Sequence, residues 1–384
     1  MAPGGGAIGT RLGAAELARA IVQVLPAWIV ARVVVVTALA FAHAAVGSIR
    51  PDNPEAARRV HDGLLGWDAG WYQAIAAHGY GSAGKESLRF FPLFPLLGRA
   101  VGIVPGIGIG PALILVGNLS ALVAMAALLV LVRRDFGDAG LARRSVWLLA
   151  LAPSAYSLVL AYSDATLLLC SVVTFLGART QRWWLAAMAG LAAGFARPVG
   201  IILLVPVAVE LWARRRDRVG AVQWSARLAA LVAPVVGAGA YLVWVGRHFG
   251  DSWLPLTVQQ QSGHRGHLSL PFVAMWHDLG TAMHGHHIGS ALHVPWVVGS
   301  VILLVVAWRR LPRSYALFAA SVLVVSASST NLDSFERYAL GAFPLVIAGS
   351  MFTSNRRVEV AVLAVSGLVM AGYAALSFLG LVVP

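Results

Sequence analysis

The chain has 384 residues, of which 59% are hydrophobic and only 12% charged, with a mean hydropathy of +0.76. Soluble domains carry about 25% charged residues, so this composition excludes a water-soluble globular enzyme and leaves the bilayer as the main solvent. A net charge of +13 and a pI near 11 would suit a nucleic-acid partner, but the placement of the arginines gives the charge another meaning.

Residues 1–25 are rich in Gly and Ala, then amphipathic, and read as a cytosolic N-terminal segment. The remainder, 26–384, reads as a single transmembrane domain. A hydrocarbon core of about 30 Å asks for roughly 17 to 25 apolar residues per helix. Such runs fall near 26–46, 111–132, 143–158, 163–178, 183–196, 199–212, 225–246, 294–308, 314–330, 338–352 and 358–380, with Pro198 placed to break one long helix at 183–212. The expected fold class is therefore all-α, a polytopic membrane protein with about 11 transmembrane helices.

With the N-terminus in the cytosol, the inner ends and loops collect 19 of the 29 basic residues against six acids, counting Arg32 among them. The outer side then holds ten bases and ten acids, so the whole +13 belongs to the cytosolic face. This positive-inside pattern displaces the nucleic-acid reading, and all 11 histidines fall on the outer side. Cys170, the only cysteine, lies in an apolar run, which leaves no disulfide framework and no thiolate metal site.

Two exterior loops are long enough to build chemistry, 49–110 and 247–293. The first contains Trp67-Asp68-Ala69-Gly70-Trp71-Tyr72, followed by Ile75, His78, Gly79 and Tyr80. A carboxylate between tryptophans beside a membrane is partly shielded from water, a setting that suits a general base. The spacing of Trp71, Ile75 and His78 before Gly79 predicts a short amphipathic helix on the membrane surface. An aromatic belt with an ordinary loop aspartate is the alternative. Next, Arg89-Phe90-Phe91-Pro92-Leu93-Phe94-Pro95-Leu96 places two prolines among aromatics, predicting a rigid apolar wall rather than a regular helix. Arg89 and Lys85 beside it are candidates to face an anion.

At the outer helix ends, Tyr162-Ser163-Asp164 presents a carboxylate to the exterior. Arg197, before Pro198, is costly amid apolar sequence unless an anion or a water cavity answers it; its fork suits a phosphate, and an internal salt bridge is the alternative. Arg337, in Ser334-Phe335-Glu336-Arg337-Tyr338, is a second candidate for the same anion. In the second loop, Gly250-Asp251-Ser252-Trp253-Leu254 and Gln259-Gln260-Gln261 supply candidate sugar or acceptor contacts, Asp251 and Gln261 foremost. His284, His286 and His287 lack a carboxylate or cysteine at useful spacing, so no metal site is expected there.

These segments resemble the PIG-V-like branch of GT-C glycosyltransferases, relatives of the second GPI mannosyltransferase. The matching residues are Trp67-Asp68-x-Gly70-Trp71-Tyr72-x-x-Ile75-Ala76-x-x-Gly79-Tyr80, Phe91-Pro92-Leu93-Phe94-Pro95, Tyr162-Ser163-Asp164, Arg197-Pro198-x-Gly200, and Arg337-Tyr338 with Phe343-Pro344. They run in family order from about residue 28 to 350; the family usually has glutamate at the position of Asp164. The resemblance implies a GT-C-type fold and inverting transfer of mannose from a polyprenyl-phosphate carrier to an acceptor hydroxyl on the outer face. It also implies that Asp68 is the general base.

Arg197, Arg337, Arg89 and Lys85 would then serve the donor phosphate. Trp67, Trp71, Tyr72, His78, Tyr80, Tyr162, Asp164, Asp251 and Gln261 would surround the substrates. No cofactor is required beyond the lipid-linked donor, with dependence on a divalent metal left open. The acceptor is a glycolipid, a polysaccharide or a protein. A flippase of lipid-linked sugars and a non-catalytic subunit of a glycosyltransferase complex are the competing classes. The Ala/Gly/Val/Arg-rich usage with a single lysine points to a bacterial plasma membrane, with the active site extracytoplasmic.

Overall fold

The computed structural model describes residues 13–261, 266, 267, 269, 294–329, 332 and 334–384. Among these residues the chain is helical, with short 3₁₀ turns and no strand. In chain order the helices are α1 (Ala14–Ile49), α2 (Pro54–Asp62), α3 (Asp68–His78), α4 (Tyr80–Ala83), α5 (Leu93–Gly102), α6 (Ile109–Phe136), α7 (Ala139–Leu151), α8 (Asp164–Arg179), α9 (Trp183–Ala196), α10 (Leu204–Ala213), α11 (Ala221–Phe249), α12 (Leu254–Gln259), α13 (Val294–Arg310), α14 (Arg313–Ala327), α15 (Phe335–Gly341), α16 (Phe343–Ser350) and α17 (Arg356–Phe378).

Helical segments underlie every predicted apolar run. Among the described residues four helices, α1, α6, α11 and α17, are by length and composition individually able to cross a membrane. Others are short because proline interrupts them, and the residue before proline is pushed out of helical geometry. The run at 143–158 ends as a helix at Leu151, before Ala152-Pro153. The pair at 183–212 breaks where Arg197 adopts φ −160° and ψ 154° ahead of Pro198. The run at 338–352 divides at Ala342, just before Phe343-Pro344. These breaks carry or border the charged residues of the site below.

Helix α1 runs from Ala14 to Ile49 without interruption, through Pro26, and so crosses the boundary expected at residue 25. Two expectations change. Arg32 is not at a helix end. It lies mid-way along α1, donating from Nε to Asn118 Oδ1 at 2.8 Å and from Nη2 to the Leu158 carbonyl at 3.3 Å. The Phe-Pro segment also does form a helix: α5 starts at Leu93, and Pro95 falls in its first turn, where the missing N–H has no intrahelical partner to lose.

Among the described residues the main apolar cluster runs along α1, α6, α7, α8, α14 and α16, with smaller clusters around Trp183 and Val207 and around Phe91 and Tyr241. Phe175, Tyr315, Phe318 and Phe343 form the aromatic centre of the main cluster, with ring centroids 4.8 to 6.0 Å apart. Helices α9 and α11 approach through glycine, since a Cβ on Gly194 or Gly237 would collide with the carbonyl of Pro234 or Leu191. At the end remote from the site, Arg179 binds Asp135 at 2.7 Å and Glu210 at 3.0 Å, which ties α6, α8 and α10 together.

Candidate active site

Asp68 is the first residue of α3, which the chain enters through Trp67 at φ +56°. A left-handed backbone at tryptophan is strained, and two contacts hold it. The indole Nε1–H donates to the Ser377 carbonyl at 3.1 Å, and the Arg59 guanidinium lies 4.0 Å over the ring. Helix α3 ends at Gly79, φ +78°, as its sequence predicts. It buries Ala69, Tyr72, Ile75 and Ala76 against the bundle and leaves His78 exposed, so the buried stripe is offset from the Trp71–Ile75–His78 face.

Asp164 opens α8, where the helix dipole favours an acid. Arg197 occupies the extended break after α9, and Arg337 lies in the first turn of α15, behind Ser334 at φ +63°. The four charges meet. Arg337 Nη1 donates to Asp68 Oδ2 at 3.0 Å, and its Nε lies 3.7 Å from Asp164 Oδ1. Arg197 Nη1 donates to the same Asp164 oxygen at 2.7 Å. Arg337 is buried, its side chain 6% exposed, whereas the Asp68 side chain is 29% exposed. Asp68 Oδ1 bonds to no other described residue. Tyr338 and Tyr162 supply aromatic faces, with Arg337 5.3 and 5.1 Å from their centroids and Arg197 5.0 Å from Tyr338.

This cluster faces a cavity of about 470 Å³ whose lining includes Trp67, Asp68, Tyr72, Arg89, Arg197 and Arg337. Phe90 and Phe91 wall one side, as the aromatic-proline pattern predicts. Tyr72 is buried, packs edge-on against Phe90 and Phe94 at 5.0 and 4.9 Å, and shares a 2.6 Å hydrogen bond with Ser163 Oγ beside Asp164. Burial pushes its phenol well above the ordinary value, Arg197 opposing that rise and Asp68 adding to it. A narrow crevice, apolar through Leu167, Leu168, Phe318, Val322 and Leu340, opens on Asp164, Arg197 and Arg337 between α8, α14 and α15.

The structure thus brings together Asp68, Asp164, Arg197, Arg337, Arg89, Trp67 and Tyr72, with Tyr162 beneath Arg337. Other candidates stand apart. Lys85 and His78 are exposed and do not line the cavity. Trp71 stacks behind it on Phe90 at 6.1 Å. Tyr80 donates to the Phe90 carbonyl at 2.7 Å and packs against Tyr241 and Trp244. Asp251 accepts from its own turn at Trp253 N, 2.8 Å away. Gln261 is exposed, and Gln259, two residues earlier, lines the cavity in its place. His284, His286 and His287 lie outside the described residues. Among the described residues no group of three His, Cys, Asp or Glu side chains could hold a metal ion.

Neither arginine is the uncommitted cation that its isolated position suggests. Each is answered by a carboxylate, so Asp68, Asp164, Arg197 and Arg337 balance to zero. Contacts that sequence reasoning missed are Pro255, Ser326 and Ser334. Ser334 had a signal, since it opens the Ser-Phe-Glu-Arg-Tyr segment; the other two had none.

No protein-family model matches the chain, and no curated protein does either. Among solved structures it is similar to ArnT from Cupriavidus metallidurans bound to undecaprenyl phosphate, at 16% identity and a TM-score of 0.49, covering 82% of this chain and 72% of that one. It is also similar to the Archaeoglobus fulgidus oligosaccharyltransferase tethered with an acceptor peptide, at 13% identity and a TM-score of 0.45. A further match is AglB from Archaeoglobus fulgidus in complex with an inhibitory peptide and a dolichol-phosphate, at 13% identity and a TM-score of 0.44. The aligned region takes in 90% of this chain but spans about half, 55%, of each of those two archaeal chains.

Proposed function

We propose that the chain is a GT-C-type membrane glycosyltransferase of the PIG-V-like kind. It moves mannose from a polyprenyl-phosphate donor to an acceptor hydroxyl on the extracytoplasmic face of a bacterial plasma membrane. The observation that carries this reading is the Asp68–Arg337 pair on the wall of a 470 Å³ cavity that also exposes Arg197 and Arg89. A base oriented by an arginine, beside further guanidinium groups, provides both halves of an inverting displacement.

In that reaction the acceptor oxygen attacks the anomeric carbon, its proton passes to Asp68, and the bond from that carbon to the phosphate oxygen breaks. The phosphate departs with the electron pair toward Arg197, Arg337 and Arg89. General base catalysis contributes roughly 10²- to 10⁴-fold, and charge stabilisation of the leaving phosphate is of the oxyanion kind. The apolar crevice beside Asp164 and Arg197, about 30 Å³ in volume, would have to widen to admit the first part of the prenyl chain.

In the resting cluster both arginines are held by carboxylates. Donor phosphate would share them, drawing Arg337 from Asp68 and freeing Oδ2 to join Oδ1 as a proton acceptor. The test is the purified chain reconstituted in liposomes with polyprenyl-phosphate mannose and glycolipid, polysaccharide or peptide acceptors. Formation of mannosylated acceptor supports the proposal. Donor movement between leaflets without transfer would identify a flippase, and absence of both would identify a non-catalytic subunit.

A further inference from the structure

A second basic cavity lies at the far end of the bundle. About 450 Å³ in volume, it is formed between α1, α6 and α7, with Arg133, Arg143 and Gln23 on its polar side and Val24, Leu129 and Trp147 on its apolar side. It adjoins a hollow of about 220 Å³ that shares Gln23 and Arg133 and adds Arg19 and Glu16. Arg133 lies in the last turn of α6. Ser120, 13 residues earlier, bonds at 3.2 Å to Thr166, two residues past Asp164. At 1.5 Å per residue the two levels are about 20 Å apart along α6. This cavity is therefore separate from the catalytic one.

The acids near it are already engaged. Glu16 is held by Arg134 at 2.6 Å, and Glu359 by Arg143 at 3.0 Å and Arg356 at 3.1 Å. Arg133 pairs with no carboxylate among the described residues, and its Nε is buried without an acceptor. A buried guanidinium N–H is costly to leave unmade, and a guanidinium fork fits phosphate oxygens. The C-terminal dipole of α6 favours the charge but supplies no acceptor for that N–H.

We infer that this cavity is a binding site for an anionic membrane phospholipid, its phosphate on Arg133 with Arg19 and Arg143 at the rim and an acyl chain against the half-buried Trp147. Charge complementarity selects an anionic headgroup, and the apolar wall selects a lipid over free phosphate. The inference does not rest on the sugar-transfer reading, since the site touches none of Asp68, Asp164, Arg197 or Arg337.

The test is native mass spectrometry of the full chain after delipidation. It is titrated separately with phosphatidylglycerol, phosphatidylcholine of the same chain length, inorganic phosphate and undecaprenyl phosphate. The expected result is retention of phosphatidylglycerol over phosphatidylcholine, with Arg133→Gln weakening it about tenfold or more and Arg309→Gln, an unrelated basic position, leaving it unchanged. Gln23→Trp fills the cavity from an exposed position with little folding risk and is expected to abolish the same retention. Equal retention of the two phospholipids, unchanged binding in both cavity variants, or equal loss in the Arg309 control would overturn the site. Preference for undecaprenyl phosphate or for inorganic phosphate would overturn its assignment to phospholipid.

Discussion

Replacing Arg337 by glutamine removes the group that spans both carboxylates of the cluster. The structure sets the size of the effect. Asp164 keeps its 2.7 Å bond to Arg197, and the Asp68 side chain is 29% exposed toward the cavity. Neither acid is therefore stranded to the degree that makes breaking a buried pair cost about 3–5 kcal/mol. A destabilisation nearer 2 kcal/mol follows, about the value of one lost charge-assisted hydrogen bond. Under the proposed mechanism the rate of transfer falls further, by about 10²- to 10³-fold, because the same guanidinium would meet the leaving phosphate. Arg337→Lys behaves almost as poorly, since one ammonium cannot reproduce the reach of Nη1 to Asp68 and Nε to Asp164. Adding Asp68→Asn to Arg337→Gln rebalances the charges while leaving the Asp164–Arg197 pair intact, and restores stability but not transfer. Thermal unfolding in detergent, paired with mannose transfer from a radiolabelled donor, measures both quantities. Loss of activity only in proportion to the folded protein lost, or full activity in the lysine variant, would refute the assignment.

Tyr72→Phe removes a buried 2.6 Å hydrogen bond to Ser163 and is expected to cost about 1 kcal/mol. Because burial raises the Tyr72 phenol above its ordinary value, its contribution to stability is complete below about pH 10 and is lost as pH rises from there through the folded-state value. Unfolding curves between pH 8 and about 11 should therefore show a shallower alkaline decline in Tyr72→Phe than in the parent. Gly200→Ala drives a Cβ into the Ala193 carbonyl, which displaces the turn bearing Arg197. A loss of at least tenfold in transfer is expected, from an overpacking strain of about 1–3 kcal/mol. Lys85→Gln and Asp251→Asn, both off the cavity, should leave transfer within about twofold and stability within about 0.5 kcal/mol.

Much of the helical plan was legible because lipid demands runs of apolar residues and charge ends them. Arg197-Pro198 announced its own break, and Gly79 its helix end. Arg32 and the inner acids were not legible. Glu210 and Glu359 have local partners in Arg214 and Arg356, but the bonds of Asp135 and Glu210 to Arg179 and of Glu359 to Arg143 come from helix packing between residues up to 216 positions apart, a pairing that local sequence does not encode. In the site, Asp68 stood out through its aromatic neighbours, and the two arginines through the cost of burying them. What sequence could not supply was that Asp164 sits between both arginines, making the four charges one neutral unit. That depends on α8, α9 and α15 converging from 164 to 337. Asp251 and Gln261 were chosen for their chemistry alone, and the fold turns them away.

The central claim is that Asp68 accepts the proton of the attacking hydroxyl. It is tested most directly by measuring mannose transfer in membranes containing equal amounts of the parent chain, Asp68→Asn and Asp68→Glu, each supplied with polyprenyl-phosphate mannose. The asparagine variant keeps the size of the side chain and a hydrogen-bond acceptor for Arg337 but cannot take the proton, so transfer should fall by about 10²-fold or more while the protein remains folded. The glutamate variant should recover part of the rate. Transfer by Asp68→Asn at the parent rate would contradict the account.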